Sequence, residues 1–269
     1  MSTLSVLGAF LRRDFRINIS YRASFALELL STLFLLALFF YLSRVVDDAE
    51  LASGQDLGGG YFGYAVVGLA LLSIVQVSLS SFSRKLNEEQ QSGTFEALMA
   101  TPVSPSLIVL ASAVYELLRA TFSALVLIAA AVAVFGLRLQ VDPASIGIAV
   151  VALVGCLGLF ASLGVAVAAF TVVFKRTTAL LGMVITGLAL LGGVYFPIEV
   201  FPDPLEQIAN ALPFTWGLDV LRASLLGGDV DPAQLAGLFG SAALLLPLAL
   251  LGFGVAVRRA RQTGTLAQY

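Results

Sequence analysis

The chain contains no histidine and a single cysteine, and these two shortages exclude several kinds of site. Without an imidazole there is no Ser-His or Cys-His nucleophile pair, and most zinc sites lose their usual ligand. Cys156 stands alone in an apolar run, so no disulfide framework is expected. Pairs of Asp at catalytic spacing are also missing from the apolar segments, which disfavours a membrane-embedded enzyme.

Charge is scarce as well, because only 12% of the 269 residues are charged, whereas a soluble domain carries about a quarter. Hydrophobic residues make up 59% of the chain, and the mean hydropathy is +0.96. Six apolar segments are long enough to cross about 30 Å of hydrocarbon, namely 25–43, 62–82, 107–137, 145–174, 179–195 and 235–257. We therefore predict an all-α membrane protein with six transmembrane helices in one domain, residues 1–269.

The basic residues are distributed asymmetrically between the predicted loops. Placing the N-terminus in the cytoplasm leaves only Arg44, Arg138 and Arg222 outside, with Arg119 within a span. The basic residues then inside are Arg12, Arg13, Arg16, Arg22, Arg84, Lys85, Lys175, Arg176, Arg258, Arg259 and Arg261. By the positive-inside rule, this predicts a multi-pass protein of the plasma (inner) membrane with both termini in the cytoplasm.

Residues 1–22 have apolar side chains at near-helical spacing, including Leu4, Leu7, Leu11 and Phe15, with basic residues on the other face. This pattern predicts an amphipathic helix in the membrane interface. Two roles remain open for it, a topology anchor and a contact with a partner.

A polar insert over residues 84–104 separates the second and third apolar segments. Asn87 is a plausible helix N-cap, because Glu88 and Glu89 follow it where acidic side chains suit the helix dipole. Thr101-Pro102 ends the element, since a residue before proline avoids the α region. The insert is either an ordinary solvated loop or a surface on which another protein acts.

The pattern Glu88…Gly93-Thr94-Phe95-Glu96-Ala97-Leu98…Thr101-Pro102 resembles the signature of type-2 ABC exporter permeases. In that family this segment forms a cytoplasmic coupling helix, which sits in a groove of a separate ATP-hydrolysing subunit. The resemblance implies that the following residues lie at that interface: Glu88, Glu89, Gly93, Thr94, Glu96 and Leu98.

The resemblance covers nearly the whole chain, because the family also has six spans, inside termini and an amphipathic N-terminal helix. It further has a proline-interrupted re-entrant hairpin after the fifth span, similar to residues 193–202 here. The resemblance implies an external re-entrant segment over residues 196–215, with Pro197, Phe201 and Pro202 in an outer gate. A plain external loop is the alternative.

The chain has no Gly-x-x-x-x-Gly-Lys-Ser/Thr run, and its two lysines, Lys85 and Lys175, follow no glycine run. We therefore expect no ATP hydrolysis and no cofactor in this chain. By the resemblance, ATP and Mg²⁺ belong to the partner subunit. Six helices do not readily enclose a polar path, so we also expect a second permease copy, identical or related. Membrane lipid is the remaining partner, and no nucleic acid is expected.

Polar groups within the apolar segments supply the remaining candidates. Glu116 and Arg119 are three residues apart on one helical face and can pair, as a gate switch or as a structural bridge. By the resemblance, the second span lines the transport path, so Gln76, with Ser73 nearby, is a candidate cargo contact. Hydrogen bonding between helices is the alternative for Gln76.

The functional prediction is the permease subunit of an ATP-driven exporter of amphiphilic or hydrophobic small molecules, drug-like or lipid-like. The outward direction comes from the resemblance alone. Export of a lipid-linked polysaccharide is the first alternative, disfavoured because Tyr61, Phe62, Tyr64, Tyr195 and Phe196 lie only at the outer ends of their spans. A non-transporting membrane scaffold is the second alternative, although it would not need the coupling-helix pattern.

Overall fold

A computed structural model describes residues 22–45, 59–91, 105–174 and 178–262 of the chain. Within these ranges all regular structure is helical, which confirms the predicted all-α class. The elements are α1 (Arg22–Ser43), α2 (Gly60–Gln91), α3 (Pro105–Phe135), α4 (Pro143–Phe174), α5 (Thr178–Leu191), a 3₁₀ turn (Ile198–Val200), α6 (Asp203–Asn210), α7 (Pro213–Leu226) and α8 (Pro232–Gln262). Residues 1–21 of the predicted interfacial helix lie outside the described residues.

Proline and aspartate set the beginnings of several helices. The helices α3, α4, α7 and α8 each begin at a proline, which has no N–H to leave unpaired in the first turn. At α4 the cap is reciprocal, because the Ser145 N–H donates to Asp142 Oδ1 and the Asp142 N–H donates to Ser145 Oγ. The Ser145 hydroxyl also donates to Asp142 Oδ1, and these hydrogen bonds lower the pKa of Asp142.

Four of the helices contain stretches long and apolar enough to cross a membrane, judged by length and composition. These stretches are Gly60–Ser81, Val114–Phe135, Pro143–Thr171 and Pro232–Arg259. In the part of the chain that is described, α1 and α5 carry the shorter apolar stretches Leu30–Ser43 and Leu180–Leu191. The count of six spans is thus confirmed for four helices and stays a prediction for the other two.

Two predicted ends are wrong because glycine turns the chain earlier. The fifth apolar segment, predicted to reach residue 195, ends its helix at Leu191, where Gly192 and Gly193 form a turn and Gly193 has φ of 71°. The third ends at Phe135 rather than residue 137, because Gly136 adopts the left-handed region with φ of 73°.

The prediction that Asn87 begins a separate helix is also wrong. The helix α2 runs without a break from Gly60 through Asn87 to Gln91. Residues 84–91 consist mainly of good helix formers, so nothing local ends the helix there. At 1.5 Å per residue α2 is about 47 Å long, about 17 Å more than the hydrocarbon thickness.

The helix α2 lies at the centre of the fold and packs against α3, α4, α1, α7 and α5. The Phe40 ring lies 5.4 Å from Phe62 and 5.2 Å from Phe135, so the ends of α1 and α3 meet the beginning of α2. We call the side with this cluster and Asp142 the Asp142 face, and the side where α2 ends the Gln91 face. The helices α4 and α8 also run from the Asp142 face to the Gln91 face.

Candidate functional site

A polar stripe on α2 consists of Ser73, Gln76 and Ser80, which recur at helical spacing; we call it the α2 stripe. Gln76 is the one exposed residue between Tyr61 and Ser81. The Ser73 and Ser80 hydroxyls donate within α2, to the carbonyls of Ala70 at 2.7 Å and Gln76 at 2.6 Å. The Gln76 amide is therefore the polar group that the α2 stripe presents to its surroundings.

The neighbouring Ser78 lies on a buried face of α2 and has a different role. Its hydroxyl donates to the Phe160 carbonyl of α4 at 2.8 Å, and the residue has no exposed surface. Ser78 therefore makes a hydrogen bond between helices, which was the alternative role considered for Gln76. Among the described residues the Gln76 side chain has no hydrogen bond.

The polar end of α2 lies beyond the α2 stripe, toward the Gln91 face. Residues 84–91 carry Arg84, Lys85, Glu88 and Glu89 and continue the helix for about 11 Å. Glu88 and Glu89 of the predicted partner interface thus lie on a helix that projects past its own apolar stretch. The other four residues of that interface, Gly93, Thr94, Glu96 and Leu98, lie outside the described residues.

Glu116 and Arg119 form the predicted pair, with Arg119 Nε 3.2 Å from Glu116 Oε2. The Glu116 side chain is 6% exposed and the Arg119 side chain 31% exposed. Glu116 lies about 17 Å along α3 from Pro105. A nearly buried carboxylate in an apolar helix needs such a cation, so the pairing prediction is confirmed, while the choice between gate and bridge stays open.

At the Asp142 face a buried arginine joins three separate segments. Arg222 of α7 is 2% exposed, and its Nη2 donates to the carbonyl oxygens of Gly193 at 2.8 Å and Tyr64 at 3.2 Å. Its guanidinium carbon lies 3.3 Å from the centroid of the Tyr64 ring, and the Tyr64 hydroxyl donates to the same Gly193 carbonyl at 2.8 Å. We call Arg222, Tyr64 and the Gly193 carbonyl the Arg222 clamp.

Two glycines allow the Arg222 clamp to close. A Cβ at Gly68 of α2 would lie 2.5 Å from the Val194 carbonyl oxygen, so only glycine lets the turn after α5 approach α2 this closely. Gly193 has a positive φ, and its carbonyl accepts from both Arg222 Nη2 and the Tyr64 hydroxyl. The sequence counted Arg222 only among the residues on the outer side of the membrane and did not predict that its guanidinium is buried among backbone carbonyls.

The predicted re-entrant segment 196–215 is a series of short elements. Pro197 precedes the 3₁₀ turn, the Phe201 ring lies 5.4 Å from Phe196, and Pro202 caps α6. The predicted end at residue 215 falls within a helix, because α7 continues to Leu226 with most of its residues buried. Pro197, Phe201 and Pro202 therefore lie on the exposed or half-exposed rim of a segment that α7 and the Arg222 clamp hold in place.

Comparison with known proteins identifies the family. A family model described as ABC-2 type transporter matches residues 5–226. The chain belongs to this family. An ABC-2 type transporter chain is a transmembrane component and not itself a catalyst, in agreement with the membrane class of the fold.

Two curated relatives of this ABC-2 type chain match over a short stretch. Nodulation protein J of Rhizobium leguminosarum bv. viciae is 34% identical over 71 residues, 26% of this chain and 27% of that protein. Nodulation protein J of Neorhizobium galegae is 33% identical over 76 residues, 28% of this chain and 29% of that protein. The matched stretch thus spans less than a third of either relative.

Sequence reasoning found the α2 stripe and the ion pair of this ABC-2 type chain but missed the Arg222 clamp. Arg222 and Tyr64 are 158 residues apart, so no local pattern connects them. The available signal was the placement of Arg222 between Leu221 and Ala223, in a segment with few other charges. An arginine in such surroundings is rarely buried unless it has partners.

Proposed function

We propose that the chain is the permease subunit of an ATP-driven exporter in the plasma membrane, with both termini in the cytoplasm. The observation that carries the proposal is the length of α2, which continues about 17 Å past the hydrocarbon thickness and ends in the acidic segment at Glu88. ATP and Mg²⁺ bind a separate subunit, which docks where α2 leads into the Gly93–Leu98 segment. ATP hydrolysis there drives outward movement of the cargo.

The cargo is amphiphilic or hydrophobic, drug-like or lipid-like. The α2 stripe offers one free amide, Gln76, on a helix whose remaining side chains between Tyr61 and Ser81 are buried or half-buried. An ion pathway would need charged groups along the stripe, and Ser73 and Ser80 are neutral. One amide beside apolar walls suits a molecule with few polar groups.

A second permease copy completes the path. The Gln76 amide is exposed about 8 Å before the end of the apolar stretch at Ser81, and an unpaired amide in hydrocarbon is costly. The helices α1 and α5 both pack against α2 and expose apolar side chains, including Phe34 and Met183. Two copies related by a two-fold axis would bring both α2 stripes to one shared cavity.

The segment between α5 and α7 is the outer gate of this cavity. Pro197, Phe201 and Pro202 form its rim, and the Arg222 clamp fastens the turn at Gly193 to α2. Non-helical backbone at membrane depth is tolerated where it is buried in protein or lines a cavity, and the carbonyls held by Arg222 meet that condition.

The test is charge reversal in the complex purified from its native membrane in mild detergent. In a Glu88→Lys, Glu96→Lys variant we expect the ATP-hydrolysing subunit to dissociate or its hydrolysis to be uncoupled from cargo movement. The control is Asp203→Lys, Asp229→Lys, which reverses two exposed carboxylates away from α2. Unchanged transport and ATPase rates in the first variant would remove the main support for the proposal. If no partner copurifies and the preparation does not hydrolyse ATP, a membrane scaffold is favoured.

Export of a lipid-linked polysaccharide is the second candidate. The aromatic side chains that it would use lie only near one end of the spans, at the Asp142 face, but there three of them form one cluster. The Phe39 ring stacks on Tyr195 at 6.1 Å with an interplanar angle of 6°, and Tyr61 lies 6.5 Å from Phe39. Tyr61 and Tyr195 are partly exposed, and flat aromatic surfaces bind sugar rings well. Stimulation of ATPase by oligosaccharide lipids that is lost in Tyr195→Ala would favour this candidate over the first.

A further inference from the structure

A second feature lies between α4 and α8. The helices α4 and α8 enclose a groove of about 490 Å³, between Ser162 and Phe170 on α4 and between Leu245 and Arg259 on α8. The main packing partners of α8 are α4 and α7, whereas the stripe belongs to α2. The groove is therefore separate from the proposed transport path.

The length and lining of this α4–α8 groove fit one hydrocarbon chain. From Leu245 to Ala256 the groove extends about 16 Å, close to half of the roughly 30 Å of bilayer hydrocarbon. Many of its lining residues are small, among them Ala166, Ala249 and Gly252, which leaves room between the helices. A Cβ at Gly252 would meet no atom within 4 Å, so the groove is open at that point.

The groove ends at a positive charge. Arg259 lines its Gln91-face end, just past the last uncharged turn of α8. Ser162 lies deeper along the groove, and its hydroxyl donates to the Leu159 carbonyl of its own helix at 2.6 Å. An apolar channel one leaflet deep with an arginine at its mouth matches a phospholipid whose headgroup is anionic.

We propose that the α4–α8 groove binds an anionic phospholipid, with one acyl chain between α4 and α8 and the phosphate on Arg259. The inference stands on the membrane-embedded fold and does not depend on the proposed transport function. Arg258 is the matched reference, because it carries the same charge one residue earlier, is exposed and does not line the groove.

The test uses tryptophan quenching by brominated lipids. The chain has one tryptophan, Trp216, so a Trp216→Phe background with Phe170→Trp places a single reporter in the groove. The protein is reconstituted in phosphatidylcholine vesicles with increasing brominated phosphatidylglycerol. We expect the groove reporter to prefer the anionic lipid on the order of fivefold, because one arginine near the surface contributes about 1 kcal/mol. A Phe122→Trp reporter on the exposed face of α3 should show no preference.

Two pairs of variants decide whether the preference belongs to this site. Arg259→Gln should abolish it at the groove reporter and Arg258→Gln should preserve it. Gly252→Phe should lower quenching by filling the groove, whereas Gly254→Phe, which is equally open but does not line the groove, should leave it unchanged.

Three results would overturn the proposal. Equal losses in Arg258→Gln and Arg259→Gln would mean general attraction of anionic lipid to the surface. An absence of preference at the groove reporter would mean an ordinary lipid contact. Protection of that reporter from both brominated phosphatidylglycerol and brominated phosphatidylcholine would mean that a protein surface covers the groove.

Discussion

Arg222 Nη2 lies 2.8 Å from the Gly193 carbonyl oxygen, and this bond joins α7 to the turn after α5. The same nitrogen also reaches the carbonyl oxygens of Tyr64 and Val194 at 3.2 and 3.3 Å. One buried guanidinium thus donates to carbonyl oxygens of two segments, α2 and the turn after α5, and these oxygens lie in an apolar interior. Without the guanidinium the Gly193 carbonyl keeps the Tyr64 hydroxyl as a donor, whereas the Val194 carbonyl loses its side-chain donor. A buried acceptor that is left unpaired costs about 1–3 kcal/mol.

We expect Arg222→Gln to lower the free energy of unfolding by about 3 kcal/mol or more. Cys156 is fully buried, so its reaction with a thiol-specific fluorophore on heating in detergent reports unfolding. The control Arg138→Gln removes an exposed guanidinium from the α3–α4 connection and should leave the midpoint unchanged. Equal midpoints for both variants would show that the Arg222 clamp does not hold the fold together.

We expect Gly68→Ala to destabilise the protein by about 1–3 kcal/mol, because the new methyl group would overlap the Val194 carbonyl. The opposing atom belongs to the backbone and cannot move without shifting the turn that Arg222 binds. The control is Gly147→Ala in α4, where a Cβ meets nothing within 4 Å, and which should be neutral or stabilising. A neutral result for Gly68→Ala, measured by the same thiol reaction, would contradict the close approach of the turn to α2.

We expect Gln76→Leu to leave thermal stability unchanged and to weaken cargo-stimulated ATP hydrolysis in the reconstituted complex. Loss of one hydrogen bond to cargo corresponds to a change of up to about tenfold in the half-maximal cargo concentration. Ser78→Ala gives the opposite pattern, with stability lowered by about 1 kcal/mol and cargo response retained. If Gln76→Leu instead lowers stability like Ser78→Ala, the amide has a structural role.

We expect the Glu116–Arg119 pair to act as a structural bridge. In a double-mutant cycle, Arg119→Gln alone should be more destabilising than the combination with Glu116→Gln, because the single change removes the cation that lies 3.2 Å from a nearly buried carboxylate. Thermal midpoints of the four proteins give the coupling energy, expected at about 1 kcal/mol. Zero coupling together with altered basal ATP hydrolysis would favour the gate.

The cap at Asp142 predicts a pH dependence at the beginning of α4. Hydrogen bonds from Ser145 hold the folded-state pKa of Asp142 below its usual value of 3.8. The stabilisation is therefore present above that usual value and is lost as the pH falls through the lowered pKa. Amide exchange near Ser145 should accelerate in that acidic range, and in Asp142→Ala it should be fast at every pH. Exchange at Gly227, whose N–H donates to the Ala223 carbonyl rather than to a carboxylate, serves as the reference.

The sequence predicted the helices well where local rules decide them. The apolar runs predicted the long helices, whereas α6 and α7 were not predicted. The prolines at residues 105, 143, 213 and 232, which the sequence analysis did not use as helix starts, begin four of the helices. It also predicted the Glu116–Arg119 pair, since a separation of three residues brings both side chains to one face.

Contacts distant along the chain decided the rest. Arg222 appeared external because a charge near a polar segment usually faces water, and only the carbonyls from the Gly193 turn make its burial possible. Asn87 appeared to be an N-cap because acidic residues follow it, yet a helix already running from Gly60 simply continues through it. A local sequence pattern does not show which residues 29 or 158 positions away will contact it in the fold.

The unbroken course of α2 has a mechanical consequence. The helix contains no proline, and its glycines lie at or before Gly68, so the part from Leu69 to Gln91 has no residue at which it bends easily. A displacement applied near Glu88 must therefore move Gln76 as well, because the helix between them moves as one rigid body. The part of α2 that bends most easily is the Gly63–Gly68 region, where the Tyr64 carbonyl and ring contact Arg222. A displacement of the Gln91 end of α2 therefore acts on the Arg222 clamp at the Asp142 face.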